Sequence, residues 1–114
     1  MTTLLPKDAD DNIIPALRLR TPGGAHTLLA TATSVRNSTA FSSDTKVISL
    51  FATVPVFVRF GDSAVTASTA DHYFPAGVYY DIAISGGGTK GAQYTHLAVI
   101  RAETDGAVYL SEKE

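Results

Sequence analysis

Apolar and polar residues alternate with a period of two along most of this chain of 114 residues. The clearest stretch is Val78–Ile84, in which Val78, Tyr80, Ile82 and Ile84 form one apolar series. A period of two places successive side chains on opposite faces of a β-strand, and we expect this series to point inward. No window of useful length shows the helical period. The sequence therefore predicts an all-β protein.

Turn residues divide the alternating pattern into about seven to eight short strands. The predicted strands are Ile13–Arg20, Thr27–Val35, Thr45–Thr53, Val56–Phe60, Val78–Ile84, Thr95–Ala102 and Ala107–Ser111. His72–Gly77 is predicted to be a turn with an aromatic plug, and Asp105-Gly106 predicts a hairpin. This series favours a single-domain antiparallel β-sandwich or jelly-roll-like barrel over residues 12–114. Residues 1–11 are predicted to form an extended N-terminal arm.

The first predicted strand, Ile13–Arg20, contains Pro15, which has no backbone N–H to donate, so we expect it at the edge of a sheet. An edge strand can add to the sheet of a neighbouring molecule. Aromatic residues that alternate on strands commonly pack in cores or interfaces. The candidate interface residues are therefore Ile13, Ile14, Leu17, Arg18, Arg20, Tyr73, Phe74 and Tyr79.

The composition excludes several classes of function. A formal net charge of −2 with scattered Lys and Arg residues argues against binding nucleic acid through its phosphates. The absence of cysteine excludes disulfides, thiolate zinc sites and cysteine nucleophiles. No apolar run approaches the roughly 20 residues of a membrane-spanning helix, and the first residues do not resemble a signal peptide. We expect a soluble protein that binds no membrane and carries no export signal of its own.

Gly61-Asp62-Ser63 follows the strand Val56–Phe60 in the manner of the nucleophile of GDS-type serine esterases. Those enzymes have an Asp three residues before the catalytic His, near the end of a much longer α/β chain. Here Gln93 stands three residues before His96, the last histidine. A serine nucleophile needs such a base and a group that orients it. We therefore predict a strand-ending turn.

Two further segments resemble ligand sites only superficially. Ser85–Gly91 is rich in glycine, but a phosphate-binding loop needs Gly-Lys-Ser/Thr at the start of a helix, and here Gly91 follows Lys90. A mobile loop between two strands is predicted instead. Asp8–Asn12 has carboxylates at a spacing typical of calcium loops, but it lacks the glycine and glutamate of such a loop, so a solvated turn is predicted.

The remaining polar residues do not form a catalytic set. His26, His72 and His96 lie in separate segments, and Asn37-Ser38-Thr39 matches a glycosylation sequon within a polar loop. The tyrosines that could instead bind a sugar are Tyr73, Tyr79 and Tyr80. The sequence predicts no enzymatic activity, no metal and no cofactor.

The order of the segments resembles that of small virion proteins of tailed bacteriophages and phage-like particles, which are encoded among head and head–tail genes. The segments that carry the resemblance are "LLPKDADDNIIPALRL", "NSTAF", "TKVISLFATVPVFVRFG", "HYFPAGVYYDIAI" and "THLAVIRAETDGAVYLSE". In that family a strand of the type VIxLxxTxPVFVxFG is followed by xxFPAGxYY and LAVIRAxxDGxVYxSE. The match covers most of the chain in order.

The resemblance implies a non-enzymatic virion structural protein, made in the bacterial cytoplasm, that oligomerises and docks on the particle. Capsid decoration or a head spike or fibre base is the expected role. The expected partners are further copies of the chain, in cyclic symmetry, and other virion proteins such as capsid or fibre. The alternatives are a neck or tail component, or a carbohydrate-binding module for attachment to the host surface.

Overall fold

The computed structural model describes residues 5–87 and 89–114. The predictions for residues 1–4 of the arm and for Gly88 of the glycine-rich loop lie outside the described residues. The strands are β1 (Ala25–Ala30), β2 (Val35–Arg36), β3 (Val47–Ala52), β4 (Val56–Gly61), β5 (His72–Phe74), β6 (Tyr79–Ala83), β7 (His96–Arg101) and β8 (Gly106–Lys113). The described part of the chain has no helix, let alone one that could cross a membrane. The all-β prediction is confirmed.

The eight strands form two antiparallel sheets of four strands each. Sheet I has the order β1-β8-β3-β6, and sheet II has the order β2-β7-β4-β5. Only β4 and β5 are consecutive strands that pair with each other, whereas every other connection crosses between the sheets. One buried apolar cluster draws side chains from both sheets, among them Ile48 and Leu50 from sheet I and Val58 and Leu97 from sheet II.

The predicted hairpin at Asp105-Gly106 is wrong, because β7 lies in sheet II and β8 in sheet I. The connection between them runs beside the one between β3 and β4, to which it is tied by a hydrogen bond from Ala102 N to Pro55 O (3.1 Å). A Cβ atom at Gly106 would lie 2.5 Å from a methyl group of Val54. The glycine is therefore explained by the close approach of two crossing connections.

The prediction of a strand over Ile13–Arg20 is also wrong, since only its last three residues lie against a sheet. Arg20 N donates to Glu112 O (2.9 Å), Glu114 N donates to Arg18 O (3.0 Å), and Leu19 lies opposite Lys113. This stretch continues the line of β1 along the same side of β8, interrupted by a loop over residues 21–24.

That loop brings the backbone of Gly24 against Arg20. A Cβ atom at Gly24 would lie 2.2 Å from the carbonyl oxygen of Arg20, so a side chain does not fit there. Gly24 O also accepts from Glu112 N (2.8 Å). The glycine therefore lets β1 and residues 18–20 approach the same end of β8.

Residues 5–17 lie outside both sheets, and we call them the N-terminal hairpin. Lys7 lies opposite Ile13, and Ile14 N donates to Pro6 O (2.8 Å). Its turn is closed by Asp8, whose Oδ1 accepts from Asp10 N and Asn12 N (both 2.9 Å). The prediction of a turn over Asp8–Asn12 is confirmed.

Two other predicted elements differ from the structure. The predicted strand Thr27–Val35 is divided into β1 and β2, because the chain crosses from sheet I to sheet II between them. His72–Phe74, predicted as part of a turn, forms β5 and pairs with β4, where Phe74 lies opposite Val56. The other predicted strands are confirmed with small shifts of their bounds.

Asn37 fastens the loop after β2 to the start of β7. Its Oδ1 accepts from Leu97 N (2.8 Å), and its Nδ2 donates to Thr39 O (2.7 Å) and Thr95 O (3.4 Å). The residue is buried, so the sequon amide is used inside the fold. The same loop carries Phe41, which is buried in the core.

We expect Asn37→Ala to lower the free energy of unfolding by about 1–3 kcal/mol, because Leu97 N would lose its acceptor in a buried position. Urea denaturation followed by circular dichroism measures this change. The exposed neighbour Ser38 supplies the control, and Ser38→Ala should change stability by no more than about 0.5 kcal/mol. Equal effects of the two substitutions would contradict this role of Asn37.

Candidate functional site: the open face of sheet I

The part of the outer face of sheet II that β7 forms is covered by the connection between β4 and β5, residues 62–71. Val65 and Ala67 of this connection are buried against Ala98 of β7. The backbone of Ala67 donates to Ser34 Oγ (2.8 Å), which ties the connection to the start of β2. The outer side of β7 therefore has its own apolar cover, whereas Tyr73 on β5 is exposed.

The outer face of sheet I has no such cover within residues 5–87 and 89–114. Strand register places the alternate residues of β1, β8, β3 and β6 on this face, and Leu19 joins them because it lies opposite Lys113. We call this surface the open face, and its main side chains are Leu19, Leu29, Val47, Phe51, Tyr79, Asp81, Tyr109 and Lys113. Several of them are large, apolar and exposed.

Three aromatic side chains form a row across the open face. Tyr79 of β6 lies opposite Phe51 of β3, which lies opposite Tyr109 of β8. Tyr79 is 57% exposed and Tyr109 49%, and Leu29 on the neighbouring edge strand is 63% exposed. Tyrosine combines a large apolar ring with a polar end and is enriched where proteins bind one another. The row is therefore a surface suited to a partner.

The charged residues of the open face neutralise each other. Lys113 Nζ donates to Asp81 Oδ1 (2.8 Å) and lies 5.1 Å from the ring centroid of Tyr79. Hydrogen bonding to Asp81, and then to Tyr79, raises the pKa of Lys113, while hydrogen bonding to Lys113, and then to Ser49, lowers the pKa of Tyr79. The face thus carries no unbalanced charge beside its aromatic row.

A buried carboxylate on the inner side of β8 holds the edge of sheet I together. Glu112 is 0% exposed. Its Oε1 accepts from Ser42 N and Thr45 Oγ1 (both 2.7 Å). Its Oε2 accepts from Arg20 Nη1 (3.2 Å) and lies 2.8 Å from His26 Nε2, which donates to the ionised carboxylate.

The polar partners keep Glu112 ionised. Burial alone would raise the pKa of Glu112, but hydrogen bonds from His26, Ser42 and Thr45 and the charge of Arg20 together hold it below its ordinary value of 4.5. The four partners come from the N-terminal segment, β1 and the loop before β3. Glu112 therefore fixes the position at which residues 18–20 join sheet I.

The structure does not bring all the predicted interface residues together. Ile13 and Ile14 lie exposed on the N-terminal hairpin, Leu17 ends the hairpin half-buried, and Arg18 is exposed beside β8. Arg20 points inward to Glu112, so its side chain stabilises the fold and is not part of an outward-facing interface.

The three predicted aromatic residues lie on different surfaces. Tyr79 is on the open face, whereas Tyr73 packs against Phe57 on sheet II with ring centroids 5.5 Å apart. Phe74 packs edge-on against Tyr80 beside the core (5.0 Å). Tyr73, Tyr79 and Tyr80 therefore do not converge on one sugar site.

Sequence reasoning missed Leu29, Phe51 and Tyr109. The signal was present for all three, because each of them alternates with residues that are buried in the core. What the sequence did not contain was the order of the strands, which alone makes β6, β3 and β8 neighbours.

The predicted turn at Gly61-Asp62-Ser63 is confirmed. Asp62 Oδ1 accepts from Ala64 N (2.9 Å), Asp62 O accepts from Val65 N (3.1 Å), and Ser63 is exposed. Ser85–Gly91 joins β6 to β7 and, in its described residues, opens no helix.

The three histidines lie in different environments. His26 belongs to the Glu112 cluster, His72 is exposed, and His96 is buried with its Nδ1 2.8 Å from Thr95 Oγ1. Within the described part of the chain, no three His, Cys, Asp or Glu residues are grouped so as to hold a metal ion. Comparisons of the chain with protein-family models, with curated proteins and with solved structures found no match.

We expect Glu112→Gln to lower the free energy of unfolding at about pH 7 by about 1–3 kcal/mol, because the amide nitrogen of glutamine cannot accept the hydrogen bonds that a carboxylate oxygen accepts, which leaves buried donors without an acceptor. The lowered pKa means that the ionised form stabilises the fold, so this contribution is present above pH 4.5 and is lost as the pH falls through the lowered value. The difference between wild type and variant should therefore shrink below pH 4.5.

Urea denaturation over a series of pH values measures both effects. Glu103→Gln provides the control, because Glu103 is exposed, and we expect it to change stability little at any pH. A difference between wild type and Glu112→Gln that stays constant down to about pH 3 would contradict the role of the ionised carboxylate.

Proposed function

We propose that this chain is a non-enzymatic structural protein of a phage-type virion, which oligomerises through the open face of sheet I and docks on the particle. The observation that carries this proposal is the uncovered, charge-balanced face with its row of Tyr79, Phe51 and Tyr109. Monomeric soluble proteins rarely expose a large contiguous apolar patch, and such patches mark sites of interaction. The resemblance of the sequence to small virion proteins supplies the context.

The strand pairing supports a finer description of the fold as a jelly-roll β-sandwich. The pairs β1·β8, β2·β7, β3·β6 and β4·β5 are nested, so the chain follows the course of one long two-stranded ribbon with β4 and β5 at its tip. The ribbon is folded so that successive pairs alternate between the two sheets. Eight-stranded jelly rolls of two sheets occur in viral capsid proteins and in lectins.

A structural role is also consistent with the polar residues. The best-organised polar cluster, around Glu112, is buried and fully used in joining segments of the fold. Ser63, the serine that most resembles a nucleophile, lies in a turn whose hydrogen bonds are made by Asp62. The proposed partners are further copies in a cyclic ring and a capsid or fibre protein, as in capsid decoration or at the base of a head spike.

Sedimentation velocity over a range of protein concentrations tests the assembly. Wild-type protein should form an oligomer, and Tyr109→Lys should weaken association by about tenfold or more, because a charge within the aromatic row would lose its water on contact. The matched control is Tyr94→Lys, since Tyr94 is exposed but stacks on Phe60 of sheet II. It should assemble as wild type does.

Particle association is the second part of the test. In a density gradient of particles released from the producing cells, an antibody to this chain should detect it in the particle band. A wild-type protein that remains monomeric at every concentration and is absent from that band would overturn the proposal.

Carbohydrate binding is a second candidate, favoured by the row of aromatic rings on the open face, on which sugar rings could stack. Here Tyr79 would act together with Tyr109 and Phe51. Binding to a glycan array that is lost in both Tyr79→Ala and Tyr109→Ala would favour this function. Silence on the array together with firm particle association would favour assembly.

A further inference from the structure

We infer that the open face of one copy is covered by the N-terminal hairpin of a second copy. This inference rests on the proposed assembly function and specifies which surface meets the open face. It assigns the contact to two different parts of the chain: Ile13 and Ile14 of the hairpin, and the aromatic row of sheet I.

The N-terminal hairpin exposes apolar side chains that its own chain does not cover. Ile13 is 62% exposed, and Leu5 and Ile14 are exposed as well. Within the described residues, the backbone hydrogen bonds of residues 5–17 are made inside the hairpin itself. An isolated two-stranded hairpin is marginally stable in water, so this segment gains most from a partner surface.

Backbone hydrogen bonds to a partner's sheet would add little to the binding of the hairpin. Pro6 and Pro15 have no N–H to donate and flank its paired residues, so the hairpin is poorly suited to extending a partner's sheet by further strand pairing. Its contact must come mainly from side chains. An apolar face that is already a complete sheet, such as the open face, suits this kind of contact.

The direction of the hairpin carries it away from its own open face. Residues 20 to 18 run beside residues 112 to 114, so the chain passes the end of β8 before it reaches the hairpin. The molecule is 50 Å long and 29 and 24 Å in the other directions, whereas the eight residues of β8 span only about 26 Å. The hairpin therefore projects from the end of the sheets, within reach of a neighbour.

Residues 18–20, which we call the root of the hairpin, are fixed at the border of the open face. Arg20 is held by Glu112, and Leu19, one residue earlier, lies on the open face opposite Lys113. The apolar surface of the face is thus continuous with the segment that leads to the hairpin. A hairpin whose attachment to the sheet is fixed loses less conformational entropy on docking than a freely moving segment would.

Charge favours contact of a hairpin with a face over contact of two hairpins. The hairpin carries Asp8, Asp10, Asp11 and Lys7, which together account for the whole formal charge of −2. Residues 18–114 contain eight basic and eight acidic side chains and are neutral. Two hairpins would repel each other, whereas a hairpin meets no net charge on the open face.

A hairpin that docks on a different surface of the next copy is a heterologous contact. Repeated from copy to copy, such a contact closes into a ring when the rotation permits. Two faces that packed on each other would instead give an isologous dimer. The two arrangements can be separated by mixing variants.

The experiment uses two full-length variants and native mass spectrometry, with one variant labelled with ¹⁵N. The face variant is Tyr109→Lys, and the hairpin variant is Ile13→Ser with Ile14→Ser. Each variant alone should be monomeric at a concentration at which the wild type is oligomeric. Their mixture should form a 1:1 heterodimer, because the intact hairpin of the face variant fits the intact face of the hairpin variant.

The substituted side chains are exposed, and circular dichroism checks that both variants keep the β-fold. Leu29→Lys serves as a second face variant, and Ala9→Ser in the turn of the hairpin is the control that should assemble as wild type. A hairpin variant that assembles like the wild type, or a mixture that stays monomeric, would overturn the inference while leaving assembly through the open face standing. A monomeric wild type would overturn both.

Discussion

The buried carboxylate of Glu112 joins separate segments of the chain at one end of sheet I. A carboxylate without access to water is tolerated only when hydrogen bonds and a counter-charge replace its hydration. Glu112 obtains these from Arg20, His26, Ser42 and Thr45. These partners belong to three separate segments. The hydrogen bonds to Glu112 on β8 therefore bring together β1, the loop before β3 and residues 18–20, which lead into the N-terminal hairpin.

This arrangement gives the molecule two unequal surfaces. Val65 and Ala67 of the connection between β4 and β5 cover the outer face of sheet II over β7, whereas sheet I leaves Tyr79 and Tyr109 exposed on either side of the half-buried Phe51. The Glu112 cluster fixes Arg20 inward and thereby turns Leu19 outward onto the same face. In our account the open face and the hairpin are the two halves of one contact that repeats between copies.

The positions of the strands could be predicted from the sequence more accurately than the order in which the strands pair. Alternation within Thr45–Thr53 identified β3, because the period of two is a local property of the chain. The hairpin predicted at Asp105-Gly106 was wrong, because the glycine is required by the close approach of Val54, a residue distant in the sequence. Arg20 was predicted to lie in an interface, but its side chain points inward to Glu112. This partner lies 92 positions away in the sequence, so no local pattern could indicate it. Of the candidate site, only Tyr79 was predicted, because the row exists only once strand order is known.

If copies assemble through the open face, this face becomes covered as the oligomer forms. Tyrosine footprinting by hydroxyl radicals, read out by mass spectrometry at low and high protein concentration, measures this change. Tyr79 and Tyr109 should become protected in the oligomer, while the exposed tyrosines Tyr73 and Tyr94 should remain reactive. Unchanged reactivity of Tyr79 and Tyr109 in the oligomer, or protection confined to Tyr73 and Tyr94, would contradict assembly through the open face.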